Sequence, residues 1–104
     1  MPTAMDNSDL EKGLTRSGVG VITVLYFARL REALDRDREQ LVLPADVKNV
    51  GELRNFLRAR GGAWERELAA VKPVRVAVNQ SMAAMDQAIN AGDEIAFFPP
   101  VTGG

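Results

Sequence analysis

The sequence predicts an α+β domain, a mixed sheet covered on one face by one main helix. Three observations predict it. Runs of β-branched and aromatic residues, Val21 to Phe27 and Glu94 to Phe98, bracket the patterned part of the chain as strands. Between them, one stretch starting near Asn49 carries a capping signal and then repeats its apolar residues at helical spacing. The order of signals is strand, strand, helix, strand, short strand, strand, with no internal repeat, and 104 residues suit one small domain with one modest core.

The first eighteen residues, Met1 to Gly18, are polar and without period, a composition that cannot bury enough surface to order itself, so a mobile extension is expected over 1–18. It has no apolar core of a signal peptide, and Asp6, Asp9 and Glu11 count against an organelle transit peptide, leaving a cytoplasmic protein as the expectation. Order is expected from Val19. Val21 to Phe27 is nearly all apolar, as a central strand should be. Arg29 to Asp37, with Leu30 and Leu34 four apart, reads as a short helical turn or structured loop. Glu39 to Leu43 alternates polar and apolar until Pro44 stops it, which suits a shorter strand near an edge.

Asn49-Val50-Gly51-Glu52 resembles a capping box, in which the Asn side chain accepts a helix-start amide and the Glu reaches back to the cap amide. Val50, Leu53, Phe56 and Leu57 then form the apolar stripe, Arg54, Arg58 and Arg60 sit off it, and Gly61-Gly62 supply a left-handed stop. Those arginines read either as a complement to the helix dipole or as a basic docking patch. Ala63 to Ala70 is a second helical piece, Val74 to Val78 an alternating strand, Asn79-Gln80 a tight turn and Ser81 to Met85 a short return. Ala88 to Asp93 is a turn with Gly92 available for positive φ, delivering the chain into Glu94 to Phe98. The expected core is Ile22, Val24, Val42, Leu53, Leu57, Val76 and Ile95.

Composition removes most chemistry. With no cysteine and no histidine, the chain has neither thiolate nor imidazole for nucleophilic catalysis or metal binding. Thirteen basic against fourteen acidic residues give no nucleic-acid or membrane footprint. Asp93-Glu94 is a carboxylate pair in sequence, but neighbours on a strand face opposite ways, and turn chemistry explains it better. No metal site and no cofactor bound by the chain itself are expected. The chain is expected to be inert alone.

The informative segment is Gly92-Asp93-Glu94-Ile95-Ala96-Phe97-Phe98-Pro99-Pro100-Val101-Thr102-Gly103-Gly104. It closely resembles the terminal signature of the small subunits of molybdopterin synthase, a family of ubiquitin-like sulfur carriers. Val24 to Glu32 resembles that family's first strand and turn, and Val76 to Gln80 its third-strand hairpin, so the resemblance spans roughly Val19 to Gly104. It implies the β-grasp fold over 19–98, with the first strand central beside the last, and an extended tail over 99–104.

The resemblance also implies a function. A ubiquitin-activating-enzyme-like adenylyltransferase would use ATP to adenylate Gly104, sulfur would convert it to a thiocarboxylate, and the large subunit of the synthase would take the tail and pass the sulfur to cyclic pyranopterin monophosphate. Residue chemistry agrees. Pro99 and Pro100 fix φ and stiffen the stalk, Val101 and Thr102 carry it outward, and Gly103 and Gly104 lack a Cβ and can thread a narrow channel. From Phe98 the stalk reaches at most ~20 Å. Of Phe97 and Phe98, one should enter the core and the other stay near the tail base. The resemblance favours Phe98, with Phe27, as an apolar docking surface for the large subunit, and matches Arg31 to a basic position of the first loop, where a solvated surface role is the alternative. Rival readings are a sulfur carrier for thiamine, cysteine or tRNA thiolation, a ubiquitin-like protein modifier, and a structural module with an accidental diglycine.

Overall fold

The computed structural model describes residues 20–100. The expected extension and the onset of order at Val19 lie outside these residues. Eight elements follow one another: β1 (Val21–Tyr26), α1 (Ala28–Leu34), β2 (Arg38–Val42), α2 (Val50–Arg58), α3 (Ala63–Glu67), β3 (Arg75–Val78), β4 (Ser81–Ala83) and β5 (Glu94–Phe98). They build one sheet in the order β2-β1-β5-β3-β4. β1 and β5 run parallel at its centre, and the other neighbours are antiparallel. This mixed sheet with central first and last strands is the β-grasp, and β2 takes the expected edge.

One face of the sheet holds the core. Ile22, Val24 and Tyr26 of β1, Ile95 and Phe97 of β5, and Val76 and Val78 of β3 meet Leu30 and Leu34 of α1, Val50, Leu53 and Leu57 of α2, and Leu68 beyond α3. All three helices therefore lie on the same side. Alternation along each strand sends the intervening residues to the opposite face, which carries no helix among the described residues. Nor is any described helix long and apolar enough to cross a membrane.

Turn chemistry closes the sheet much as the sequence suggests. Asn79 and Gln80, at φ 50° and 71°, make the two-residue link between β3 and β4, a geometry that matches the twist of the paired strands. Asp93 belongs to the next turn: one carboxylate oxygen accepts from the Asn90 amide at 2.7 Å and the other from Asn79 Nδ2 at 3.0 Å. The Asn79 side-chain oxygen accepts from the Glu94 amide at 2.9 Å. Gly92 turns at φ 90°.

Several expectations need correction. Val42 is not core: it is 55% exposed, because Leu41 stands opposite the buried Ile22 and takes the inward position. Phe56 is 40% exposed, whereas Arg54 is buried. The stripe facing the sheet is Val50, Leu53, Arg54 and Leu57, the i, i+3, i+4, i+7 pattern with a charged member. Arg54 spends its guanidinium on backbone, donating to the carbonyls of Leu68 at 2.7 Å, Ala69 at 2.5 Å and Lys72 at 2.9 Å. Arg58 pairs with Glu65, and Arg60 with Glu39 while lying 4.4 Å from the Trp64 ring centroid, so these three arginines stitch elements together rather than forming a docking patch. Asn49 does cap α2, accepting from the Glu52 amide at 2.8 Å, but Glu52 reaches back to the Lys48 amide rather than to that of Asn49. Gly61 and Gly62 both have positive φ, turning the chain just beyond the helix. The second helical piece ends at Glu67 and the return strand at Ala83, shorter than expected.

Candidate functional site at the tail base

The tail leaves the domain from β5, a central strand paired on both sides. Phe97 is fully buried and stacks on Tyr26 at a centroid distance of 6.3 Å, and Trp64 meets Tyr26 edge-on at 5.4 Å. Of the two phenylalanines, Phe97 thus enters the core and Phe98 stays half-buried on the other face, as alternation requires. The Phe27 amide donates to the Phe97 carbonyl at 3.1 Å, which continues the β1–β5 ladder by one residue and puts Phe27 beside Phe98 on the open face. Phe27 is 46% exposed. The chain then leaves the sheet through Ala28, held at φ 54° in the left-handed region that costs an L residue about 1 kcal/mol.

Further open-face residues share this surface. Leu25, Ala96, Ala77 and Met82 form one row across β1, β5, β3 and β4, because each stands opposite the next. Met82 is 61% exposed. Together with Phe27 and Phe98 they make an apolar face that ends at the tail. Reading single strands points to Phe98; the row becomes visible only when the strands are put in register.

Arg31 is exposed on α1, one helical turn after Phe27, and makes no ion pair among the described residues. Pro99 and Pro100 are half-buried and line a groove of about 280 Å³ with Arg29, Leu30, Glu67, Lys72, Pro73 and Val74. Val101, Thr102, Gly103 and Gly104 lie outside the described residues.

The charged groups near the tail base serve structure. Glu67 is buried, and burial alone would raise its carboxyl, but hydrogen bonds and charge from Arg29 and Arg66 hold it below the usual carboxylate range. Glu67 escaped the sequence reading because a glutamate in a run of alternating charges looks solvated. Tyr26 donates to Glu39 at 2.7 Å, and its hydroxyl is pushed far above its ordinary value, mainly by burial and then by that carboxylate. No group of three acidic side chains is placed to hold a metal ion among the described residues.

A central parallel pair of strands that delivers a proline-led segment past an apolar face defines a small ubiquitin-like protein. The ThiS family model matches residues 24–104. Molybdopterin synthase sulfur carrier subunits from Escherichia coli and Haemophilus influenzae are each 40% identical over 84 residues, covering 81% of this chain and all of theirs. The crystal structure of SAMP1 from Haloferax volcanii superposes with a TM-score of 0.65 at 31% identity, over 82% of this chain and 100% of that one. The chain belongs to the ThiS family, in its branch of molybdopterin synthase sulfur carrier subunits.

Proposed function

We propose that this protein is the sulfur carrier of molybdenum cofactor biosynthesis, and that its working group is the carboxylate of Gly104. The observation that supports the reading best is the family match running through residue 104, over the full length of relatives that are themselves sulfur carrier subunits. A carboxylate is a poor electrophile at neutral pH. Its oxygen attacks the α-phosphorus of ATP on an adenylyltransferase and expels pyrophosphate. A hydrosulfide-equivalent sulfur then displaces AMP from the acyl carbon, leaving a thiocarboxylate on Gly104.

The second half of the cycle takes place in the synthase. The thiocarboxylate enters the larger subunit, its sulfur bonds to a carbon of the cyclic pyranopterin as an oxygen leaves that carbon, and water then cleaves the acyl–sulfur bond, leaving the sulfur on the pterin and the carboxylate on Gly104. The domain's own contribution is presentation. β5 anchors the stalk by burying Phe97, Pro99 and Pro100 limit its freedom and so the entropy lost on insertion, and Phe98 with Phe27 supplies an apolar docking anchor. Arg31 adds a cation beside that anchor. The reading places the protein in the cytoplasm, since the adenylation step consumes ATP.

Intact-mass measurement tests the reading: protein from cells with the biosynthetic partners should carry sulfur in place of one terminal oxygen, and protein from cells lacking the adenylyltransferase should not. Deleting Gly104 misplaces the acyl group by ~3.5 Å and should abolish dithiolene formation while the domain stays folded and still binds. Near-normal product from that deletion would defeat the proposal. A second reading, attachment to lysines as a protein modifier, is favoured by the likeness to small archaeal modifier protein 1, solved from the same archaeon at 28% identity. It uses the same activated Gly104 and differs only in the nucleophile, so isopeptide-linked adducts in cell lysates would reveal it.

A further inference from the structure

The open face of the sheet is flanked by two cations that the carrier chemistry does not use. Arg38 stands opposite Leu25 across β1–β2, and Arg75 stands opposite Phe98 across β3–β5. Directly opposed residues share a face, so both arginines rise from the same surface as Leu25, Ala96 and Phe98, one on each side of these central residues, with Met82 on β4 beyond Arg75. Three strand spacings, about 14 Å, separate their strands. Both are exposed, and neither makes an ion pair with any described residue. Of the other arginines near that end, Arg29 pairs with Glu67 and Arg36 with Glu39, while Arg31 is the unpaired cation already placed beside Phe27.

We infer that Arg38 and Arg75 select the partner that covers this face, and that the larger synthase subunit presents carboxylates opposite them on either side of an apolar centre. The inference rests on the proposed function and names the chemistry of its docking partner. Covering Leu25, Phe27, Ala96 and Phe98 on the two central strands brings both guanidinium groups, on the strands to either side, to the edge of a dehydrated contact. A charge moved there without a counter-ion opposes binding, so a neutral or basic surface is rejected and an acidic rim is accepted. Arg75, opposite Phe98, also sets direction, whereas Arg38 lies level with Ala96 in the middle of β5. Glu94 lies on the same face at the other end of β5, four residues from Phe98 or roughly 13 Å, opposite Thr23. An acidic rim is drawn to the Phe98 end and repelled from the Glu94 end, which seats the partner where the tail emerges.

The test uses the full chain and the purified larger subunit, with Arg38→Glu, Arg75→Glu and the double variant, and with folding checked by circular dichroism. Association rate and Kd are measured from low to high salt. The double variant should bind about tenfold or more weakly at low salt, chiefly through slower association, and should lose most of the wild type's salt dependence. Arg58→Glu makes the same charge change on the helical side and should stay within about twofold. Wild-type binding with an unchanged Kd and salt slope in the double variant overturns this inference alone. A wild-type chain that does not bind the larger subunit overturns the proposed function as well.

Discussion

Tyr26 on β1 donates its hydroxyl to Glu39 on β2 at 2.7 Å, joining the largest fully buried side chain of the core to a carboxylate at the sheet edge. Glu39 also accepts from Arg60 at 2.8 and 3.0 Å and from Arg36 at 2.9 Å, so one side chain ties β2 to the segment after α2. Burial pushes its carboxyl up, but hydrogen bonds from Arg60 and Tyr26 and the charges of Arg60 and Arg36 outweigh it and hold the group below the usual range.

This lowered value makes Glu39 an acid-sensitive tie. A folded-state pKa below the unfolded one contributes stability that is present above about pH 4.3 and is lost as pH falls through the folded value. Glu39→Gln should be less stable than wild type at pH 7, with the difference shrinking below about pH 4. Urea unfolding from pH 2.5 to 7 reads it, and parallel curves for the two proteins would contradict the assignment.

Arg54 should be among the costliest polar residues to replace. Arg54→Met keeps the buried stem but strands the carbonyls of Leu68, Ala69 and Lys72, and hydrogen bonds from a charged donor are worth about 1.5 to 3 kcal/mol each before partial rescue by water. A loss of about 3 kcal/mol in chemical denaturation is expected, against little change for Arg58→Ala, whose partner Glu65 is exposed.

Leu53 and Val42 separate core from surface among apolar residues. Leu53 is fully buried and Leu53→Ala should cost about 2 to 5 kcal/mol, while Val42→Ala, at an exposed position on the edge strand, should stay within ~0.5 kcal/mol. Equal losses would mean that the β1–β2 register is off by one.

Phe98→Ala should leave the melting curve close to wild type, since the core aromatic of β5 is Phe97. Binding to the larger synthase subunit should weaken by more than about 1 kcal/mol in titration calorimetry, the loss of a central aromatic anchor. An unfolded variant would place Phe98 in the core, and unchanged affinity would place it outside the interface.

The sequence by itself determined which stretches become strands and helices, because those signals are local. The apolar runs of β1 and β5, the Asn49 cap, the Asn79-Gln80 turn and the tail motif each act within a few residues of themselves, and β5 coincides with its predicted bounds. Only the tertiary structure decided which way an edge strand faces and which charges are buried. Leu41 rather than Val42 turns inward because its partner across the ladder is Ile22, and a one-residue change of register would reverse that choice. Arg54 enters the core because three carbonyls from a distant loop converge on it, and Glu67 because Arg29, thirty-eight residues away, reaches it. Even Gly20 owes its identity to packing: a Cβ there would stand 2.2 Å from that of Ala91, a neighbour brought in by the β1–β5 pairing. Such contacts depend on residues far apart in the chain, and no window of local sequence contains them.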